Sequence, residues 1–132
     1  MSRNLDLLLD TNVVISLVDG VGGPRLDQVR ACFDDPTCTI SISALTYAEI
    51  AIKHTLGKLA HSTGPVRQAA VASGLTELPF AAGHAEQLAL LPLHHRDPFD
   101  RMLIAQAMSE ELTMVSADRE FRKYEGLSLL SA

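Results

Sequence analysis

The stretch LDLLLDTNVVISLVDG, residues 5–20, joins an apolar run to a carboxylate and then to a helical pattern. Its first part is typical of a strand that is buried on both faces of a parallel sheet. Thr11 or Asn12 can cap the helix that follows, and Gly20 terminates that helix. Asp10 therefore stands where a buried strand ends, and a charged group in that position needs a structural or a functional explanation.

Strands and helices alternate along the rest of the chain, which predicts an α/β fold with a central parallel five-stranded sheet flanked by helices. The predicted strands are LDLLL (5–9), TISIS (39–43), LTELPF (75–80), LTMVS (112–116) and LSLL (127–130). The predicted helices cover residues 13–20, 24–33, 44–56, 65–73, 82–91, 98–111 and 118–124. Ligands of such sheets bind beyond the carboxyl ends of the strands, where the strand order switches, and Asp10 is predicted to lie there.

The chain has 132 residues, of which 47% are apolar, and its formal net charge is −5. This length suits one compact domain covering residues 1–132. The negative charge argues against binding of nucleic acid by bulk electrostatics alone, although a bound cation can replace the missing positive charge locally. A nucleic-acid ligand is therefore compatible with this composition where such a cation is present.

Two cysteines, Cys32 and Cys38, fit no zinc-binding spacing and are too few for a disulfide framework. We therefore interpret them as ordinary reduced thiols of a cytoplasmic protein. The start, MSRNLDLLLD, has acids within its apolar stretch and no small-residue cleavage site, so it is not typical of a signal peptide. Because no apolar run approaches the roughly 20 residues that span a bilayer, the sequence predicts a soluble protein.

Asp118 follows the fourth predicted strand much as Asp10 follows the first. Two acids that come after two strands of one parallel sheet are expected to point into the same crevice. The alternative is that Ser116 caps the next helix and that Asp118 merely favours the positive end of that helix. The position of Asp118 alone does not decide between these two interpretations.

The segment DPFD, residues 97–100, also has two interpretations. Asp97 fits the N-cap of a helix, with Pro98 at the first helical position and Asp100 where a capping box would have Glu. In the functional interpretation, Asp100 enters the same edge of the sheet and joins Asp10 and Asp118. The two roles need not compete, because Asp97 can hold the turn while Asp100 faces the site.

Glu49 lies in a helix that is apolar nearly all round. An ionised glutamate in such surroundings must find a partner or change its pKa. Lys53, four residues later, offers a simple explanation as the partner in a helix-surface ion pair. The alternative is that Glu49 belongs to the same acidic site as the three aspartates.

Taken together, these carboxylates would repel one another strongly in one crevice. A hard divalent cation resolves that repulsion, since oxygen ligands suit Mg²⁺ and Mn²⁺. The sequence also contains no glycine-rich phosphate loop and no nucleophilic serine elbow. This combination predicts metal-assisted attack on a phosphodiester.

Four blocks of the sequence, in this order, resemble a PIN domain and more narrowly a VapC-type toxin of a bacterial toxin–antitoxin pair. They are LLLDTNVVISL (7–17), SALTYAEIAIKHTLGKL (43–59), LPLHHRDPFDRMLIAQA (91–107) and TMVSADREFRKY (113–124). The second and third blocks are the specific ones, and the resemblance extends over essentially the whole chain. It implies a PIN-like three-layer fold and a Mg²⁺- or Mn²⁺-dependent endoribonuclease that a cognate VapB-type antitoxin inhibits.

The resemblance also implies roles for individual residues. The catalytic acids would be Asp10, Glu49, Asp100 and Asp118, and the direct metal ligands would be Asp10, Asp100 and Asp118. Residues that orient them would be Thr11 or Asn12, Ser116 and Asp97. Asp97 competes with Asp100 for the role of ligand, and the spacing of Asp100 to Ile104 and Ala105 favours Asp100.

Basic residues near the acids in sequence are candidates for binding flanking RNA phosphates, with solvated helix faces as the alternative. They are Arg96, Arg101, Arg119, Arg122 and Lys123. The helix around residues 47–52 is too apolar to have only one buried face, so part of it is expected to line a homodimer or antitoxin surface. PIN relatives commonly dimerise, which makes a homodimer the expected assembly.

Other functions fit parts of the same pattern. A non-catalytic PIN-like module could bind RNA or a protein without cutting, although such a module has no need of a costly acidic cluster. A phosphatase with Asp10 as nucleophile would need a second acid two residues later, where this chain has Asn12. Purely structural capping roles for every acid complete the alternatives.

Overall fold

The structure is a computed structural model that describes residues 6–21, 23–94 and 97–131. Within these residues the chain forms five β-strands, six α-helices and one 3-10 helix. The strands are β1 (Asp6–Leu9), β2 (Thr39–Ser43), β3 (Thr76–Leu78), β4 (Thr113–Ser116) and β5 (Leu129–Ser131). The helices are α1 (Thr11–Val18), α2 (Pro24–Phe33), α3 (Ala44–Thr55), α4 (Thr63–Ala72), α5 (Ala82–Leu90) and α6 (Pro98–Ser109), and the 3-10 helix is Arg119–Lys123.

The five strands form one sheet in the order β3-β2-β1-β4-β5, and every neighbouring pair is parallel. The central strand β1 places Leu8 opposite Ser41 of β2 and Met114 of β4. Successive strands move outward on one side of β1 and then on the other, so the strand order switches between β1 and β4. The predicted α/β fold class is confirmed, and its functional crevice is expected beyond the ends of these two strands.

The side chains of β1 alternate between two buried layers. Leu7 and Leu9 pack in a core cluster with residues of α1, α2 and α4, such as Val29 and Val66. Leu8 packs on the other side of the sheet with Leu103 and its neighbours from α6. A strand covered on both faces explains the continuous apolar run of the sequence and gives the three-layer arrangement.

Several element boundaries differ from the sequence-based prediction. The strand predicted at 75–80 spans only Thr76–Leu78, because it lies at the edge of the sheet and Pro79 has no N–H to donate. The helix predicted to begin at Pro65 begins two residues earlier, with the proline inside its first turn, where no intrahelical N–H bond is lost. Leu5 of the predicted first strand lies outside the described residues. In the part of the chain that the structure describes, each helix is too short or too polar to cross a bilayer.

The two cysteines correct the sequence-based interpretation. The structure pairs Cys32 and Cys38 as a disulfide with a Cα–Cα distance of 5.5 Å, whereas we expected ordinary reduced thiols. The pairing follows from the turn between α2 and β2, where Asp35 accepts hydrogen bonds from the backbone N–H and the hydroxyl of Thr37 at 2.9 and 2.7 Å. This turn brings the two Cα atoms within the range that a disulfide requires.

A buried polar contact connects two of the layers. Ser43 caps α3 by accepting a hydrogen bond from the N–H of Leu45 at 3.0 Å, and its hydroxyl donates to Oε1 of Gln106 at 2.6 Å. The amide of Gln106 donates in turn to the carbonyl of Pro79 at 3.3 Å. Since Ser43 and Gln106 are fully buried, these bonds fix α6 against the ends of β2 and β3.

We expect Gln106→Ala to lower the free energy of unfolding by about 3 kcal/mol, because it leaves buried polar groups without partners and opens a cavity. Gln68, an exposed glutamine of α4, provides the matched control, and Gln68→Ala should change stability by less than about 0.5 kcal/mol. Urea denaturation of both variants measures the difference. Equal midpoints for the two variants would contradict a structural role for the Gln106 contacts.

Candidate active site

Asp10 is the N-cap of α1 as well as the residue that follows β1. Its Oδ1 accepts a hydrogen bond from the N–H of Val13 at 2.8 Å, and its Oδ2 accepts one from the hydroxyl of Ser116 at 2.5 Å. The predicted capping by Thr11 or Asn12 is therefore wrong, because the extended backbone of Asp10 at the end of the strand makes Asp10 itself the cap.

The Asp10 carboxyl is only 4% exposed. Burial raises its pKa, and the nearby charges of Glu49 and Asp118 raise it further, while the hydrogen bonds from Ser116 and Val13 lower it. The net direction is upward. The protein thus holds a carboxylate in surroundings that disfavour its charge, although two donors fix its orientation.

Ser116 and Asp118 lie at the end of β4, beside Asp10. The Ser116 hydroxyl donates to Asp10 and accepts a hydrogen bond from the N–H of Asp118 at 3.0 Å. Asp118 caps the 3-10 helix by accepting from the N–H of Glu120 at 2.9 Å. The predicted capping by Ser116 is therefore wrong, because Asp118 itself is the cap. Asp118 combines this capping role with proximity to Asp10.

The predicted orienting residues differ in what they contact. Ser116 contacts a carboxylate directly, as expected. The hydroxyl of Thr11 instead donates to the hydroxyl of Thr46 in α3 at 3.1 Å, which ties the start of α1 to the helix that carries Glu49. Asn12 is exposed. The role of Thr46 could not be predicted from the sequence, since its partner lies 35 residues away in the chain.

Glu49 projects from α3 as a buried carboxylate. Its Oε2 accepts from the ammonium of Lys53 at 2.8 Å, so the ion pair that the sequence suggested is formed. Its Oε1 is buried and has no hydrogen-bond partner among the described residues. An unsatisfied buried acceptor is costly, and here it indicates that one oxygen of Glu49 is left available to a ligand.

Asp97 and Asp100 divide two roles at the start of α6. Oδ1 of Asp97 accepts hydrogen bonds from the N–H groups of Phe99 at 2.9 Å and of Asp100 at 3.2 Å, which makes Asp97 the predicted N-cap. Asp100 is half-buried in the first helical turn. The sequence-based assignment of the N-cap to Asp97 is confirmed, and Asp100 does not cap the helix.

The electrostatics of Asp100 show that the acids share one neighbourhood. Its pKa is raised to about 7, first by burial and then by the negative charges of Asp97, Glu49, Asp10 and Asp118. These residues belong to the ends of β1 and β4 and to helices α3 and α6. The structure therefore brings together all four acids that the sequence singled out, with Asp97 beside them.

Oxygen ligands of this kind fit a hard divalent cation, and the unpartnered Glu49 oxygen supports that fit. Among residues 6–21, 23–94 and 97–131, no three acidic, histidine or cysteine side chains are positioned to hold an ion together. Mg²⁺ does not need such a cage, because it usually keeps several waters and binds through one or two carboxylates plus substrate phosphate. The donor chemistry therefore fits Mg²⁺ or Mn²⁺, and the cation itself stays a prediction.

The predicted RNA-binding residues have different surroundings. Arg101 donates to the carbonyl of Pro92 at 2.8 Å, and Lys123 pairs with Glu120 at 2.7 Å. Arg119 and Arg122 are exposed on the 3-10 helix next to Asp118. Arg96 lies outside the described residues. Exposure and position are compatible with phosphate binding, and the role stays a prediction.

Comparison with known proteins agrees with this geometry. The PIN domain family model matches residues 7–127. No curated protein sequence gives a significant match to the chain. Twenty-two chains of solved structures are significantly similar.

Two of these structures illustrate the likeness. The structure of VapBC2 from Rickettsia felis bound to a DNA fragment from their promoter matches with a TM-score of 0.77 at 17% identity, covering 97% of this chain and 99% of that chain. VapBC-1 from nontypeable Haemophilus influenzae matches with a TM-score of 0.71 at 18% identity, covering 96% of this chain and 98% of that chain. At these identities the likeness establishes a shared fold.

The raised pKa of Asp100 predicts how the stability of the chain depends on pH when a chelator removes divalent cations. It ionises near its ordinary pKa of 3.8 when the chain is unfolded and near 7 when it is folded. Between these values the folded state binds more protons, so the free energy of unfolding should fall as the pH rises from about 4 to about 7. Asp100→Asn should remove this loss. Its advantage over the wild type in free energy of unfolding should therefore be larger at pH 8 than at pH 5, as measured by urea denaturation in EDTA.

Asp34, exposed after the end of α2, provides the matched control. Asp34→Asn removes a negative charge from an exposed position and shows what the loss of a charge alone does to the free energy of unfolding at each pH. If Asp100→Asn gave no larger advantage at pH 8 than at pH 5, the Asp100 carboxyl would not have a raised pKa in the folded chain.

Proposed function

The chain belongs to the PIN domain family, and from this premise we propose that it is a VapC-type toxin, a Mg²⁺- or Mn²⁺-dependent endoribonuclease that a cognate VapB-type antitoxin neutralises. The observation that carries the proposal is the set of carboxylates whose charges reach Asp100 and help to raise its pKa to about 7. Acids with purely structural roles need no common crevice. Burial and mutual repulsion of carboxylates are destabilising unless a cation or a substrate group interacts with them.

A divalent cation in this crevice would lower the pKa of a bound water and neutralise charge as the phosphodiester is attacked in line. Asp10 and Asp100 are the first choice as its ligands, with Asp118 and Glu49 as further ligands or as groups that position the water. The protein fixes Asp10 through the Ser116 and Val13 hydrogen bonds, so its oxygens are oriented before any ligand arrives.

Glu49 is suited to a different task from Asp10. Its Oε2 is occupied by Lys53, whereas its Oε1 is buried and unpartnered among the described residues. That oxygen can accept a proton or a hydrogen bond from a water molecule in the crevice. Asp118, which accepts a hydrogen bond from the N–H of Glu120, follows the end of β4.

We propose RNA as the substrate. The chain has a net charge of −5, so its attraction for a polyanion must be local. The exposed Arg119 and Arg122 next to Asp118 would supply part of it. A single-stranded segment of RNA suits this crevice better than a duplex, since an unstacked strand can bring one phosphate to a cation that the acids would hold.

Exposed apolar surface supports the proposed partners. Val18, Phe33 and Val71 are exposed on the helices that cover one face of the sheet, where an antitoxin segment could pack. Ile52 on α3 and Leu56 just after it are exposed, on the helix that we expect to line a homodimer or antitoxin surface. The solved structures that share the fold include VapBC pairs.

The partner proposals can be checked by mass and by activity. Light scattering of the purified chain should give a dimer mass, and a monomer at micromolar concentration would contradict the homodimer. A purified complex with the antitoxin should cut RNA poorly, because we expect a basic antitoxin side chain to compete with the cation for the acids. Full activity of that complex would contradict neutralisation at the site.

The central test is cleavage of a structured RNA pool by the purified chain with Mg²⁺, with Mn²⁺ and with EDTA. We expect metal-dependent cleavage that Asp10→Asn abolishes. Since asparagine caps helices as well as aspartate does, Asp10→Asn should keep its fold by circular dichroism. Asp34→Asn, which removes an exposed charge far from the acids in sequence, should cut like the wild type.

Further variants locate the ligand at the start of α6. Asp97→Asn preserves the cap and should retain cleavage, whereas Asp100→Asn should lose it; the reverse result would make Asp97 the ligand. A folded wild-type chain that cut nothing with either metal and bound no Mn²⁺ by calorimetry would instead be a non-catalytic PIN-like binding module. An unfolded Asp10→Asn variant would show that Asp10 is structural.

A further inference from the structure

Lys53 is a cation of the chain that contacts one of the acids of the crevice. Its ammonium lies 2.8 Å from Oε2 of Glu49, in an ion pair whose two members differ strongly in exposure. The Glu49 side chain is 6% exposed, whereas the Lys53 side chain is 42% exposed. The ammonium therefore bridges a buried carboxylate and the solvent at the mouth of the crevice.

The charge of Lys53 is held in place by more than one acid. Besides Glu49, which the ammonium contacts, Asp97 and Asp100 are near enough for their charges to act on Lys53. Lys53 is therefore close to three of the carboxylates. One contact with Glu49 uses only one of the three N–H donors that an ammonium carries.

A polyanion that enters this crevice meets negative charge first. Phosphate groups close to Asp97, Asp100 and Glu49 would be repelled, and a fixed ammonium at the entrance reduces that repulsion. A lysine is suited to this task because it binds phosphate as a point charge on a flexible stem. Its half-exposed position allows it to move from a carboxylate to an incoming phosphate.

We propose that Lys53 is a substrate-binding residue that exchanges its contact with Glu49 for one with a phosphate oxygen of the RNA at the mouth of the crevice. The inference rests on the proposed function for the identity of the polyanion. The exchange leaves both oxygens of Glu49 available inside the crevice when substrate is bound. A purely structural ion pair, in contrast, would persist when RNA binds.

The test measures RNA binding separately from cleavage. In the Asp10→Asn background, a fluorescein-labelled single-stranded RNA of mixed sequence is titrated with protein at several salt concentrations, and anisotropy gives Kd. Loss of one hydrogen-bonded phosphate contact in Lys53→Met should raise Kd roughly three- to tenfold. The slope of log Kd against log salt should fall by about 0.7 to 1, as for one phosphate contact.

Matched variants separate charge from structure. Lys53→Arg keeps the positive charge and should keep most of the affinity. Lys58→Met removes an exposed lysine from the turn after α3 and should leave Kd and its salt slope unchanged. Unchanged Kd and slope in Lys53→Met would overturn the inference, and so would an equal loss in Lys58→Met.

A double variant covers the case in which Lys53→Met destabilises the fold by leaving Glu49 unpaired. Lys53→Met combined with Glu49→Gln removes both charges of the pair and is compared with Glu49→Gln alone. A higher Kd for the double variant than for Glu49→Gln supports phosphate binding by Lys53, whereas equal Kd values overturn the inference. Lys53→Met could raise Kd although the wild type shows no metal-dependent cleavage. That result would support RNA binding by Lys53 and contradict the proposed nuclease activity.

Discussion

The hydrogen bond from Ser116 to Asp10 is the contact on which the site depends. It joins the ends of β1 and β4, which lie side by side where the strand order switches, and it fixes a carboxylate that also caps α1. The buried run of β1 makes the contact possible, because Leu7, Leu8 and Leu9 fill both layers and leave Asp10 as the first residue beyond the core. The Asp10 side chain thus caps α1, contacts the end of β4 and is itself one of the acids of the site.

The acids that gather around this contact make the metal-free fold less stable than it could be. Two of them, Asp10 and Asp100, have raised pKa values, and the buried Glu49 has an oxygen without a partner in the described part of the chain. Local choices that conflict with stability are expected at functional sites, where they are offset by packing elsewhere. Here the offset comes from the two apolar layers and from the buried Ser43 and Gln106 contact.

The order of elements and the meeting of the acids could be predicted from the sequence, since a parallel sheet places the carboxyl ends of its strands at one edge. What could not be predicted depends on contacts between distant residues. Thr11 was expected to orient a carboxylate but bonds to Thr46, because the approach of α3 is set by packing. The pairing of Cys32 and Cys38 depends on the turn between them. The polar Gln106 lies in an apolar stretch of the sequence and bonds to Ser43, which is distant in the chain.

The two edges of the sheet restrict how this molecule can associate. The outer strands β3 and β5 are three residues long, and Pro79 directly follows β3. Short edges and a proline discourage the addition of a further strand from another chain. We therefore expect a stable partner to dock through the helical layers, where side chains rather than backbone groups decide the fit. Partner choice can then change by substitution of a few surface residues without altering the sheet.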